Sequence, residues 1–371
     1  VDRPTYRFII CELVSGRVLD ELPMVITSDL TRYLKMYGEG SLALPLFNVR
    51  GRLVSDTWEQ AILPGRSLVL VVDDRDNIVW SGAPQRRGRQ GTGKDASLIK
   101  FPFRTVEAYF IRRYVPTLNF QGKDQARIFQ ALMESTTEGG IGLDYDCPDT
   151  GVLRDRPYND DENFRVYDRV NQLAAVLDGF DWTIDVVWGD DAHTWVRKIA
   201  RTGYPHLGNR SQNPAHTFET GQNVIDFDSQ ESWDEGDAAT HVRAIGDGEG
   251  ESKVMSDPII DTVREAAGWP RTEERKSFSG VTVQTTIDAH AQALATYLFG
   301  GQDVLELTAR NPTGREDFTR LGEITLGNTA RAIINTPQLK RDVVWPVVGW
   351  SLTTETGIYK PVLAKIGVPD G

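Results

Sequence analysis

Residues 67–82 read SLVLVVDDRDNIVWSG. Ser67 to Val72 is almost wholly apolar and rich in β-branched valine, Asp73-Asp74-Arg75-Asp76-Asn77 is turn chemistry, and Ile78 to Trp80 resumes the apolar pattern. That is a strand, a loop and a second strand. On its N-terminal side, Tyr6 to Val14 (YRFIICELV) and Val18 to Leu22 flank a Ser15-Gly16 turn, and Gly40 to Leu46 (GSLALPL) supplies another strand. A short amphipathic stretch at Ser55 to Leu63 ends at the Pro64-Gly65 turn. On the C-terminal side a long hairpin is expected from Gly88–Lys94 into Ser97–Phe103. Short strands with frequent turns predict a small barrel-like domain over residues 1–104.

The period then changes. Ala126, Phe129, Leu132 and Met133 fall at helical spacing, and Phe164, Tyr167, Val170, Leu173, Ala174 and Leu177 draw one apolar stripe along a helix of about four turns, closed by Gly179. Phe180 to Trp188 (FDWTIDVVW) alternates and is expected to pair with Thr194 to Ala200. Residues 105–217 therefore read as an α+β middle domain. Strands return over 218–371, at Asn223–Phe227, Thr240–Ile245, Val304–Ala309, Glu323–Leu326, Ala330–Ile334, Trp350–Thr354 and Val362–Ile366. A helical segment at about 257–300 interrupts them, with Ile287, His290, Ala291, Leu294, Tyr297 and Leu298 as its stripe and Gly300-Gly301 as its stop. The expected fold class is mainly β, with two small β-barrel-like domains around a mixed helix/sheet domain. Trp80-Ser81-Gly82 before Thr92-Gly93-Lys94 echoes Val348-Gly349-Trp350 before Thr356-Gly357, which fits either a duplicated barrel or two unrelated hairpins.

At 371 residues the chain exceeds the roughly 250–300 at which one core stops growing. No apolar run approaches the ~18 residues of a membrane span, and VDRPTYRFII is not a secretory signal. Cys11 and Cys147 are the only cysteines, too few for a disulfide framework, and they read as core residues of a protein made in a reducing cytoplasm. The net charge of −12 argues against general affinity for DNA phosphates. It is unevenly spread. Arg86–Arg113 holds eight basic residues and two acidic, whereas Glu219–Glu265 holds thirteen acidic and three basic.

No motif carries chemistry. Gly88 with Gly93-Lys94 resembles a phosphate loop, but Asp95 stands where Ser or Thr must hold magnesium, and no helix pattern follows. Gly246, Gly248 and Gly250 in GDGEGES are surrounded by carboxylates that repel pyrophosphate. Asp144, Asp146 and Asp149 offer calcium oxygens, but Pro148 intrudes and the glycine and terminal glutamate of an EF-hand are missing. His193, His206, His216, His241 and His290 show no zinc spacing. Asp160-Asp161 and Asp190-Asp191 read as surface turns rather than glycosidase pairs. Trp182, Trp188, Trp195, Trp345 and Trp350 could stack on sugars, yet Trp182 and Trp188 share one strand face and are expected to bury against the Phe164–Leu177 helix. Catalytic, cofactor and metal residues are therefore expected to be none, and the chain is expected not to be an enzyme.

In combination, YRFIICELVSGRVLDELPM, GSLALPL, the IVWSG hairpin at Ile78–Gly82, DRVNQLAAVLDGFDWTIDVVW at Asp168–Trp188 and GQNVIDFDSQESW at Gly221–Trp233 resemble minor tail proteins of siphophages infecting actinobacteria, of the baseplate or tail-tip hub kind. The resemblance covers most of the chain. It implies a homotrimeric ring whose subunits each give two barrels to a pseudo-sixfold collar. The distal tail protein, the tape measure protein and tip or receptor-binding proteins would be partners, and DNA would pass through without being bound specifically. The place it implies is the virion tail tip. With no hydrolase or fibre domain before Gly371, receptor binding or wall cleavage is expected to fall to other subunits. The acidic stretch would line the channel and the basic one would dock on an acidic neighbour. The rivals are a carbohydrate-binding module and a cell-wall hydrolase.

Overall fold

The strand SLVLVV is buried along its whole length because both of its faces are covered. Val69 and Val71 enter one hydrophobic core, and Leu68, Leu70 and Val72 enter another. A strand with one dry face alternates, whereas one with two reads as a continuous apolar run. The computed structural model describes residues 6–47, 53, 55–90, 98–136, 138–248, 253–278, 280–310, 319–354 and 357–365.

The N-terminal part supplies β1 (Arg7–Glu12), β2 (Val18–Glu21), β3 (Val25–Ser28), β4 (Leu30–Tyr33), β5 (Glu39–Pro45), α1 (Trp58–Ala61), β6 (Ser67–Val72), β7 (Ile78–Pro84), β8 (Gly88–Gln90) and β9 (Leu98–Arg104). Seven of these run antiparallel in the order β2-β1-β6-β7-β9-β5-β3, with β8 added on β9. The β6–β7 turn is closed by the Asp73 carboxylate, which accepts from the amides of Arg75 (2.9 Å) and Asn77 (2.8 Å). The expected hairpin from Gly88 is present as β8 on β9, while its tip, including Gly93-Lys94, lies outside the described residues.

The middle part holds β10 (Leu118–Asp124), α2 (Gln125–Glu134), β11 (Asp144–Asp146), β12 (Leu153–Tyr158), α3 (Val166–Ala174), β13 (Asp181–Trp188) and β14 (Val196–Gly203). β13 pairs with β14 as expected, and β11 adds in parallel on the other side of β14. The Asp124 side chain caps α2 by accepting from Ala126 N at 2.8 Å. Ala126, Phe129, Leu132 and Met133 are buried. α3 is shorter than its stripe suggested. It stops at Ala174 because Leu177 gives its amide to the Ala289 carbonyl (3.2 Å) and Asp178 adopts φ 58°, so the chain turns before Gly179.

The C-terminal part contains β15 (His216–Glu219), β16 (Val224–Ser232), β17 (His241–Ile245), β18 (Ile259–Ile260), α4 (Thr262–Ala266), β19 (Glu273–Ser277), α5 (Gln284–Leu298), β20 (Gln302–Arg310), β21 (Thr329–Asn335), β22 (Lys340–Leu352) and β23 (Ile358–Ala364). The large sheet runs β15-β21-β22-β23-β20-β16. Between its paired strands β16 and β20 sits an inserted unit, a small sheet ordered β18-β17-β19 covered by α5. The segment expected to be helical thus also contains two strands. β19 (EERKS) has no apolar alternation to announce it, and it forms by completing a parallel ladder on β17. The strand expected at Glu323–Leu326 is instead a 3-10 turn at Leu321–Glu323 followed by a second turn at Leu326-Gly327, and the one expected at Trp350 is the end of β22, which begins at Lys340.

β4 does not stay with its neighbours in sequence. It pairs antiparallel with β22, Leu30 opposite Leu352 and Tyr33 opposite Gly349. One core consequently joins both ends of the chain, with Phe8, Ile10, Leu30 and Phe101 packed together with Phe218, Leu307, Trp350 and Tyr359. The other face of β1 and β6 packs on α2, α3 and β13. The molecule is mainly β, with a large sheet from each end of the chain, one curled half-barrel among its sheets, and a mixed unit against them.

Candidate functional site

The N-terminal and middle parts of the chain meet at Asp181, the first residue of β13. Its carboxylate takes the Lys35 ammonium at 3.2 Å, the Arg210 guanidinium at 3.4 Å and the Leu207 amide at 3.1 Å. Lys35, held at φ 61°, also gives its backbone amide to the Trp182 carbonyl (3.0 Å). Lys35 and Asp181 are both buried, so their charges are compensated where water cannot help.

Beside this cluster opens a cleft of about 520 Å³ between the middle part and the inserted unit, within the size range of ligand pockets. Val176, Leu177 and Phe180 form one wall, and Phe278, Leu294 and Tyr297 the other. His290, at the inner end, stacks on Phe278 with ring centroids 4.0 Å apart. Burial, reinforced by Arg156, pushes its pKa down to about 3, so the imidazole is neutral. Apolar walls, a neutral imidazole and internally paired ions can hold an apolar or amphipathic surface. They do not by themselves assemble a nucleophile with a base.

The residues singled out in the sequence are not gathered here. Asp144 pairs with Arg197 (2.7 Å) and Asp149 with Arg127 (2.6 Å), and Asp146 shares Arg201 (3.7 Å) with Asp185 (3.3 Å), so each carboxylate already faces a guanidinium. Among the described residues no group of three or more His, Cys, Asp or Glu could hold a metal ion. The histidines are apart: His193 stacks on Trp188, His206 lies 4.0 Å from Asp181, His216 bonds Thr319, and His241 meets Glu265 at 3.2 Å. Gly88 opens a hairpin arm rather than a helix, and Gly93, Lys94 and Asp95 lie outside the described residues. Gly246 follows β17, the Asp247 carboxylate accepts from the Gly280 amide, and Gly250 lies outside the described residues. Asp160 and Asp161 occupy an exposed 3-10 turn, and Asp190 accepts from the Thr194 amide (2.8 Å) in the β13–β14 turn. Cys11 and Cys147 are buried, and burial raises their thiols to about 12 and about 11.

Among the tryptophans, Trp182 is buried against α3 and donates to Asn171 Oδ1 at 2.9 Å. Trp188 departs from expectation. It is half-buried and reaches the N-terminal sheet, donating to the Asp76 carbonyl at 2.8 Å. Trp195 packs over Gly189, Trp345 beneath Arg341, and Trp350 in the core. The exposed aromatic pair is one the sequence reading did not single out: Trp233 and Trp269 stack 4.2 Å apart from segments 36 residues distant, so no local spacing could have revealed them.

The charged runs are partly used within the fold. Arg104 pairs with Glu39 and Arg113 binds the Thr136 and Glu138 carbonyls, while Arg86, Lys100 and Arg112 are exposed. In the acidic run, Asp226, Asp228 and Glu231 are exposed on β16, the edge strand of its sheet. No helix of the described residues is long and apolar enough to cross a membrane.

Two large sheets sharing a core, with a mixed α+β unit against them, make a fold similar to that of solved tail proteins. The tail protein from Neisseria meningitidis MC58 superposes with a TM-score of 0.59 at 14% identity, over 98% of this chain and 98% of that one. The 43 kDa tail protein of prophage MuSo2 from Shewanella oneidensis does so with a TM-score of 0.59 at 12% identity, over 98% and 99%. A chain of the Francisella PdpA-VgrG complex matches with a TM-score of 0.53 at 11% identity, over 98% of this chain but 53% of its own. No protein-family model and no curated protein sequence matches.

Proposed function

We propose that this protein is a structural subunit of a phage tail tip, the hub that joins the tail tube to tip and receptor-binding proteins and lets DNA pass during ejection. The observation that carries the reading is the end-to-end likeness to two tail proteins, with 98% of this chain aligned in each case. In this reading the chain works as a homotrimeric ring in the virion of a siphophage, is made in the host cytoplasm, contacts the distal tail and tape measure proteins, and performs no catalysis. The exposed carboxylates of β16 face the channel, where like charge lets DNA slide without sticking. Arg86, Lys100 and Arg112 meet an acidic neighbour.

Electron microscopy of the purified protein, alone and with its tail partners, tests this. Threefold rings with an open centre are expected; monomers under both conditions would remove the hub reading. A second reading, recognition of cell-wall glycan, has one feature in its favour, the exposed Trp233–Trp269 stack with Arg264 over the Trp233 ring at 5.7 Å. Glycan binding that is lost in Trp269→Ala, in a protein that forms no rings, would favour it.

A further inference from the structure

A second, smaller cavity of about 40 Å³ lies between β12 and α3 of the middle part and the start of α5 in the inserted unit. Arg156, Arg169, Thr286 and His290 line it. We propose that it binds a small tetrahedral oxyanion of the hydrogenphosphate class, which clamps the inserted unit onto the middle part.

Positive charge converges there in a protein whose net charge is −12. The Arg156 guanidinium donates only to neutral acceptors, the Asp155 carbonyl (3.0 Å) and the Thr286 hydroxyl (3.3 Å), and no carboxylate of the described residues pairs with it. Burial in this wall lowers its pKa, as desolvation of a cation does. Arg169 stands beside it, paired with Glu162 at 2.6 Å. It is admitted by Gly280, where a Cβ would come within 2.2 Å of the guanidinium. The other nearby carboxylates are engaged elsewhere, Asp155 by the Gly122 amide and Asp247 by the Gly280 amide.

The start of α5 adds to this field. Its N-cap is Val283, with no capping side chain, and its first turn carries no acid, so the positive end of a 15-residue helix is left uncompensated. Such an end with arginines around it suits an oxyanion.

His290 selects which oxyanion. The residue is 2% exposed and its Nδ1 has no partner, an expensive state for a buried polar atom. The Ala175 carbonyl accepts from the ring, which leaves Nδ1 with a lone pair. Inorganic phosphate at neutral pH carries a P–OH that can donate to this nitrogen while its other oxygens accept from Arg156, Arg169 and Thr286. Sulfate carries no proton and would set an oxygen against the lone pair. The site should therefore prefer phosphate. Because its donors come from both units, occupancy should also stiffen their junction.

Calorimetric titration of the full chain with inorganic phosphate and with sulfate, at ionic strength matched with chloride, tests the assignment. Saturable 1:1 phosphate binding is expected, with sulfate at least about tenfold weaker and Arg156→Gln weakened by at least about tenfold. Thr286→Val, which removes one hydroxyl at the helix start, should weaken phosphate binding in a chain whose circular dichroism is unchanged. No saturable heat with phosphate, equal affinity for sulfate, or unaltered binding in Arg156→Gln would each overturn the proposal.

Discussion

Replacing Asp181 by alanine should loosen the junction of the N-terminal and middle parts of the chain. The carboxylate is buried, lies 3.2 Å from Lys35 and 3.4 Å from Arg210, and also accepts the Leu207 amide. Removing it takes the shared counter-charge from the buried Lys35 and the partly buried Arg210, and breaking a buried pair in this way costs about 3–5 kcal/mol. Unfolding entropy near 2.1 cal/mol/K per residue gives about 0.8 kcal/mol/K for a chain of this length, so Tm should fall by about 4–6 °C. Differential scanning calorimetry reads this directly. Lys35→Met placed on the alanine variant should restore part of the loss, because a buried ammonium that has lost the Asp181 carboxylate is removed with it. A Tm within about 1 °C of wild type, or a double-mutant cycle with coupling below about 0.5 kcal/mol, would refute the reasoning.

Glu107 is buried, and burial holds its carboxyl above the ordinary value of 4.5. The folded state therefore disfavours the ionised form: the penalty is absent below 4.5, grows as pH rises toward the raised value, and is complete above it. Glu107→Gln, which can still accept the Ile184 amide, should raise Tm at pH 7.5 and lose that advantage below pH 4.5 in a pH series of melting curves. Gly349→Ala should destabilise the β4–β22 pairing, since its Cβ would lie 2.2 Å from the Tyr33 ring, and Tyr33→Ala in the same chain should recover much of the loss in melting temperature. Added calcium should leave Tm unchanged, because Arg197, Arg201 and Arg127 already occupy Asp144, Asp146 and Asp149; a rise would contradict that pairing.

Local pattern was a good guide wherever one face of an element is dry. α2, the β13–β14 pair, the β6–β7 turn and the end of α5 at Gly300 and Gly301, with φ 108° and 71°, lie where periodicity and turn chemistry put them. It failed where a strand is made by its partner. β19 carries a wholly polar sequence and exists through its ladder with β17, and β4 is four residues long with no alternation strong enough to place it. α3 was overestimated because an apolar stripe records which side chains are buried, not where a backbone amide finds an acceptor outside the helix.

The candidate sites were the least legible. Asp181 reads as one more carboxylate in an alternating strand, and His290 as one position of an α5 stripe; neither spacing says that Lys35 and Arg210, or Arg156 and Thr286, will stand beside them. The sequence alone determined the strand-rich character, the turns, the two cysteines, too few for a disulfide framework, and the uneven charge. These are set by residue type and short-range backbone preference. Tertiary structure alone decided that SLVLVV is covered on both faces, that β4 crosses into the other sheet, and which charges meet, because side chains far apart in sequence are brought together only when sheets close over a shared core.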